Sequence, residues 1–260
     1  MIDTWNPAQY DKFQREREQP FFDLLSMVQP APHMRVVDLG CGTGTLTRAL
    51  HERLQARETL GLDRSARMLD GARRDDAAPG LRFDVATIEA FPGDHGSFDL
   101  IFSNAAFHWV EDHEALLARL RDALAPSGQL AFQVPAQHDH ASHRTAEALT
   151  DVEPFKMALG GWHRPQPVLS PEAYARLLYR LGFRQPVVHQ VIYPHVLAGR
   201  SDVVEWMKGT LLTEYERHLP PNLFAQFMEE YRDRLLAQLA DERPYFFPFN
   251  RILCWARKQN

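Results

Sequence analysis

The 260-residue sequence has little cysteine, only Cys41 and Cys254. Two thiols so far apart make no disulfide framework, and the expected compartment is a reducing cytoplasm. There is no long apolar run. Nothing approaches the roughly 20 residues of a membrane span, and the stretch from Met1 to Phe13 lacks the basic-then-apolar order of a signal peptide. Nor is there an excess of positive charge. Lys and Arg number 29 against 34 Asp and Glu, a net charge of −5, which argues against nucleic acid as the main partner. No repeat or low-complexity tract occurs. With 45% hydrophobic and 24% charged residues, the composition is that of an ordinary globular chain. A monomer or a homodimer is open.

What is present begins with alternation. Short apolar runs at 34–39, 58–63, 81–85, 98–104 and 129–135 are separated by amphipathic stretches near 44–55, 64–74 and 112–125. Strand and helix in alternation indicate βαβ units and a parallel sheet. Pro126-Ser127-Gly128 stops a helix before the fifth strand. Pro171 to Leu181 reads as a helix with Ser170 as N-cap and Gly182 as its stop. Phe183 to Leu197 and Phe249 to Lys258 read as two further strands. Ser201 to Ala240 reads as two helices broken at Pro220-Pro221. The expectation is a doubly wound α/β fold with a seven-stranded, mostly parallel sheet. It would form a single domain over 1–260, with a core from 33–135, 171–197 and 245–258. Segments 1–30, 136–165 and 198–240 would form a helical cap.

The strongest local signal is Val36-Val37-Asp38-Leu39-Gly40-Cys41-Gly42-Thr43-Gly44, where a strand turns into a helix. Glycines there let backbone approach a ligand and adopt positive φ. The dinucleotide pattern GxGxxG would need Gly or Ala at position 45 or 47; both are threonine. No Lys-Ser/Thr follows, which excludes a phosphate-binding P-loop. Asp63 ends the second strand, where a carboxylate can accept both hydroxyls of a ribose.

Asp38 to Gly44, Asp63, and Ser103-Asn104-Ala105-Ala106-Phe107-His108-Trp109 resemble the class I S-adenosylmethionine (SAM) methyltransferases, whose sheet is Rossmann-like. The chain ends resemble a narrower group, the trans-aconitate methyltransferases. They do so through Trp5-Asn6-Pro7, Tyr10, Phe13, Glu16-Arg17 and Pro20, with Asn104 to Asp112, Gln133-Val134-Pro135, Tyr193, Trp206 and Phe249-Asn250-Arg251 further along. The resemblance implies SAM as cofactor, S-adenosylhomocysteine as product, and esterification of a carboxylate on a small organic acid. It implies cofactor contacts from Tyr10, Asp38, Gly40, Cys41, Gly42, Gly44, Asp63, Arg64, Met68, Thr87, Ile88, Asn104 and Trp109. Two departures stand out. Thr87-Ile88 replaces the acid that reads the adenine in this family. Thr213-Glu214 stands where the narrower group tends to carry Arg-Pro, so weak use of trans-aconitate and a preference for fewer carboxylates are expected.

The remaining polar residues divide by chemistry. Arg17, Arg144 and Arg251 are candidates to neutralise an anionic acceptor, and His143, Trp206 and Tyr215 to seat it. His108 is the candidate general base, although an ionised carboxylate acceptor needs none. His138, His140, His143 and His163 do not match zinc spacings, and no metal is expected. Tyr10, Phe13 and Arg17 fall on one helical face and suit a lid. The reading is a SAM-dependent methyltransferase esterifying a small organic acid. The alternatives are O-, N- or C-methylation of another metabolite, and a SAM-binding protein without turnover.

Overall fold

A computed structural model describes residues 14–72, 78–91 and 95–259, with only the backbone of 14–17. Seven strands form one sheet in the order β3-β2-β1-β4-β5-β7-β6. They are β1 (Arg35–Leu39), β2 (Glu58–Asp63), β3 (Leu81–Val85), β4 (Phe98–Asn104), β5 (Leu124–Pro135), β6 (Phe183–Leu197) and β7 (Tyr245–Lys258). Pairs β1/β2, β1/β4, β2/β3 and β4/β5 are parallel, and β5/β7 is antiparallel. The central strands are apolar on both faces, as a covered parallel sheet requires: Val36, Val37 and Leu100 to Phe102 are buried. The order reverses between β1 and β4, the switch point at whose carboxyl edge open α/β sheets bind ligands.

The helices are α1 (Gln14–Met27), α2 (Thr45–Leu54), α3 (Ala66–Ala72), α4 (His113–Ala123), α5 (Ala141–Leu149), α6 (Phe155–Leu159), α7 (Pro171–Arg180), α8 (Ser201–Lys208), α9 (Leu212–His218) and α10 (Pro221–Gln238). Asp112 caps α4 by accepting from the Ala115 amide, and Ser170 caps α7 by accepting from the Ala173 amide. Such caps satisfy amides that the first turn leaves without a helical partner.

The described residues fall into two compact units. The larger holds 14–135, 167–191 and 251–259; the smaller holds 136–166 and 192–250. Helix α1, expected in the cap, groups with the larger unit. Its Phe21 and Leu24 are fully buried, and Phe21 meets Phe102 edge-on at 5.2 Å. In the smaller unit, Phe155, Tyr215, Phe227 and Tyr231 make one aromatic core, and His195, Trp206, Phe247 and Phe249 another.

Three boundaries differ from the sequence reading. Segment 201–238 is three helices, because a break at 209–211 precedes the one at Pro220; the Thr213 hydroxyl donates to the Thr210 carbonyl there at 2.7 Å. The stretch at 140–158, which reads as one helix of the cap in the sequence, is two, α5 and α6. Strand β5 begins directly after α4, at Leu124, and absorbs Pro126-Ser127-Gly128 as an irregularity. A Cβ on Gly128 would lie 2.9 Å from the Ala125 carbonyl oxygen. Among the described residues, no helix is long and apolar enough to cross a membrane.

Candidate active site

In the larger unit the glycine loop joins β1 to α2. Gly40, Gly42 and Gly44 all have positive φ (80°, 58° and 77°). The three are glycine for different reasons. A Cβ on Gly40 would lie 2.2 Å from the Ala106 Cβ, and one on Gly44 would lie 2.7 Å from the Ala72 Cβ and 2.8 Å from the Phe83 ring. A Cβ on Gly42 would meet nothing closer than Met68 Cε, at 3.6 Å. Packing therefore demands glycine at 40 and 44, while at 42 the backbone conformation alone does.

Two carboxylates hold this loop. Asp63 Oδ2 accepts the Gly42 amide at 2.9 Å, and Oδ1 accepts the Ser65 amide at 2.8 Å. One acid thus clamps the loop and starts the turn into α3. Each oxygen keeps a second lone pair for a ribose hydroxyl. Asp38 is buried beneath the loop. Its Oδ2 accepts from the Thr47 hydroxyl at 2.6 Å, while Oδ1 is buried with no partner among the described residues. Burial raises the Asp38 carboxyl to about 7, partly offset by the Thr47 hydrogen bond and reinforced by Asp63. Burial likewise raises the Cys41 thiol, so it remains protonated packing rather than a nucleophile. An orphaned anionic oxygen under an open glycine backbone fits a ligand that brings a cation, and the ammonium of SAM is one.

The β4 edge is held by a chain whose atom assignment follows from Arg251. Arginine only donates, so its Nη1 at 3.2 Å fixes the facing Gln133 atom as Oε1. Gln133 Nε2 then donates to Asn104 Oδ1 at 2.7 Å, which leaves the Asn104 amide group as the donor side. Arg251, expected as an acceptor cation, is buried in the larger unit and spends a donor on this chain. The turn after β4 carries Phe107, His108 and Trp109. It is fixed by a pair absent from the sequence reading. His113 Nε2 reaches the Phe107 carbonyl at 3.0 Å, so Nε2 carries the proton. Nδ1 therefore accepts from the Tyr174 hydroxyl at 2.6 Å. Burial lowers the His113 pKa. His108 lies against Trp109, with ring centres 4.7 Å apart, and the Arg64 guanidinium lies 5.9 Å over the Trp109 ring. Met68 is buried, Ile88 is half-buried, and the exposed Thr87 caps the following turn by accepting from the Ala90 amide.

In the smaller unit, His143 and Glu147 share a face of α5, and Tyr215 on α9 reaches Glu147 Oε2 at 3.5 Å. His163 holds Glu147 Oε1 at 2.9 Å, and Trp162 stacks on His218 at 3.9 Å. Arg164 is half-buried beside them: burial lowers its pKa, and the nearby Tyr215, Glu214 and Glu147 act against that. Burial, then Arg164, push His143 down to about 3, so its ring is neutral at pH 7. Of the sequence candidates, His143 and Tyr215 come together here. Arg144 is exposed on α5, and Trp206 lies in the second aromatic core. Tyr10 and the side chain of Arg17 lie outside the described residues.

Comparison with known proteins places the chain among methyltransferases. Residues 36–128 match the model of a methyltransferase domain family. The chain is 44% identical to a trans-aconitate 2-methyltransferase of Deinococcus radiodurans, covering 96% of each protein. It is 37% identical to one of Streptomyces avermitilis, covering 99% of this chain and 98% of the relative. Among solved structures, an S-adenosylmethionine dependent methyltransferase from Mesorhizobium loti shares the fold. Its TM-score is 0.52 at 24% identity, over 91% of this chain and 96% of that one.

Proposed function

We infer what the protein does from its membership: this chain belongs to the trans-aconitate 2-methyltransferase family of SAM-dependent methyltransferases. The reaction we propose is methyl esterification of one carboxylate of trans-aconitate, a small tricarboxylate. The observation that carries the reading is identity of 44% over 96% of both chains with a relative of that name. The site chemistry is consistent with it. Bound SAM supplies a methyl group on a sulfonium, and an ionised carboxylate accepts it without losing a proton. The glycine loop, Asp38 and Asp63 hold the cofactor in this reading. Asn104, oriented by Gln133 and Arg251, and Trp109, held on the turn that His113 fixes, border it. The protein's contribution is alignment and exclusion of water, worth several kcal/mol of barrier.

Position 213 led to the expectation of weak trans-aconitate use. The reading now favours trans-aconitate, because relatives of that name match nearly the whole chain; Thr213 donates its hydroxyl to the Thr210 carbonyl. We place the enzyme in the cytoplasm, as a monomer or homodimer without nucleic acid. Its net charge of −5 and two free thiols support that placement. The test is mass-spectrometric detection of a monomethyl ester and S-adenosylhomocysteine from SAM and trans-aconitate. Arg17 and Arg144 are proposed to neutralise the acceptor, and His143 to seat it. His108→Gln keeps most turnover if the acceptor is a carboxylate. A hundredfold loss of kcat in a folded variant means a base is needed, and the acceptor is then a hydroxyl or an amine.

A further inference from the structure

We propose that Tyr174 is a positioning residue of the cofactor site: its hydroxyl fixes His113, and His113 fixes the turn at 107–109 beside the glycine loop. This rests on the reading of that loop as the SAM site, and every residue involved belongs to the larger unit. Two contacts place the turn at the loop. Ala106, which leads into the turn, packs so closely that a Cβ on Gly40 would lie 2.2 Å from its own. The guanidinium of Arg64, next to Asp63, lies 5.9 Å over the Trp109 ring. The turn is also strained where it starts. Ala105 has φ 55°, a conformation unfavourable for a residue with a Cβ, which persists only where the surroundings hold it. On the near side the Ala105 amide donates to the Gln133 carbonyl at 3.0 Å. On the far side the holder is His113.

The hold runs through one chain of hydrogen bonds. Burial raises the pKa of the Tyr174 hydroxyl, and a backbone hydrogen bond from Leu169 opposes that. A donated N–H stabilises the oxygen in this way, so Tyr174 accepts from Leu169 and keeps its own proton for His113 Nδ1, at 2.6 Å. The proton of the ring is then on Nε2, which donates to the Phe107 carbonyl at 3.0 Å. The same carbonyl accepts the Val110 amide at 2.9 Å, the bond that closes the turn. Two donors use both lone pairs of that oxygen. Tyr174 and His113 are both buried, so solvent does not replace a lost partner. Without the hydroxyl nothing selects the Nε2–H tautomer. A ring with its proton on Nδ1 would turn a lone pair toward the Phe107 carbonyl and release the turn. Packing is a separate matter: Tyr174 meets the Phe132 ring edge-on at 5.4 Å, a contact that phenylalanine keeps.

The experiment compares wild type, Tyr174→Phe, His113→Leu and Thr59→Val. The last is a control: it breaks another buried pair of the larger unit, His51 with Thr59 at 2.9 Å, which has no link to the turn. SAM affinity is measured by calorimetry, together with melting temperature. Nitrogen–proton NMR spectra of histidine-labelled protein report the tautomer, and the signal missing from His113→Leu assigns the ring. Loss of one hydrogen bond corresponds to about a threefold to tenfold weakening. Tyr174→Phe is expected to weaken SAM by that factor and to lose the Nε2–H signature of His113. Thr59→Val lowers the melting temperature and leaves SAM affinity within about twofold. SAM affinity in Tyr174→Phe no weaker than in Thr59→Val, or an unchanged tautomer, overturns the proposal. If Tyr174→Phe does not fold, the wild-type spectrum and His113→Leu decide. An Nε2–H ring with SAM weakened at least about threefold supports the proposal, and an Nδ1–H ring or unchanged binding overturns it. If wild type binds SAM and Tyr174→Phe binds it equally, this inference alone fails; if wild type binds no SAM, the reading of the site fails and takes the inference with it.

Discussion

Asp63 joins two tasks that the sequence suggests singly. A carboxylate at the end of the second strand reads as a ribose acceptor. In the structure it also holds the Gly42 and Ser65 amides. Asp63→Ala therefore removes the clamp on the loop together with the ribose contacts proposed for it. With each charged hydrogen bond worth about 1.5–3 kcal/mol, SAM affinity should fall at least tenfold by calorimetry. Unchanged affinity would mean that another acid holds the ribose. This residue was legible because a strand end, a glycine turn and an acid stand in a short, ordered stretch. Arg164 was not. It sits in an irregular segment with no period or motif, and only the contacts of Trp162 with His218 and of His163 with Glu147 give it surroundings. The sequence reading looked for the missing cation at position 213, next to Glu214.

Among elements, the alternation of apolar runs and amphipathic stretches revealed β1 to β5, and turn residues revealed α7. The break at 209–211 was hidden because Trp206, Met207, Leu211, Leu212 and Tyr215 are apolar at helix-like spacing on both sides of it. All five are buried, on two short helices and the turn between them. Gly209, the C-cap of the first of these helices, was the signal there, and the reading passed over it for the stronger break at Pro220-Pro221. The loop between β1 and α2 gives an element-level test. Gly40→Ala places a methyl 2.2 Å from the Ala106 Cβ, at positive φ, so the strand–helix junction must shift. Gly42→Ala carries only the conformational strain of left-handed backbone, about 1 kcal/mol. The melting temperature should fall markedly further for Gly40→Ala than for Gly42→Ala. Equal losses would show that contact with Ala106 does not govern the loop.

At the scale of the whole molecule, burial of Asp38 ties stability to pH and to cofactor. Its carboxyl is raised from 3.8 to about 7 in the folded protein. A raised acid contributes stability that is fully present below the unfolded pKa and lost as pH rises through the folded one. Without cofactor, stability should therefore decline between about pH 4 and pH 7 through this group, and Asp38→Asn should flatten that slope. A bound cation favours the ionised carboxylate, so SAM should stabilise the protein more at pH 8 than at pH 5.5. At a hundredfold excess over its dissociation constant, a ligand of the folded state adds about 2.7 kcal/mol. In a protein of this size that is about 5–10 °C in melting temperature. NAD should add nothing, because Thr45 and Thr47 stand where the dinucleotide turn needs glycine or alanine. Melting curves with SAM and with NAD at both pH values test all three parts. A shift with NAD alone would remove SAM from the glycine loop. A SAM shift independent of pH, with the same pH slope in Asp38→Asn, would show that the buried oxygen of Asp38 does not face the cofactor's charge.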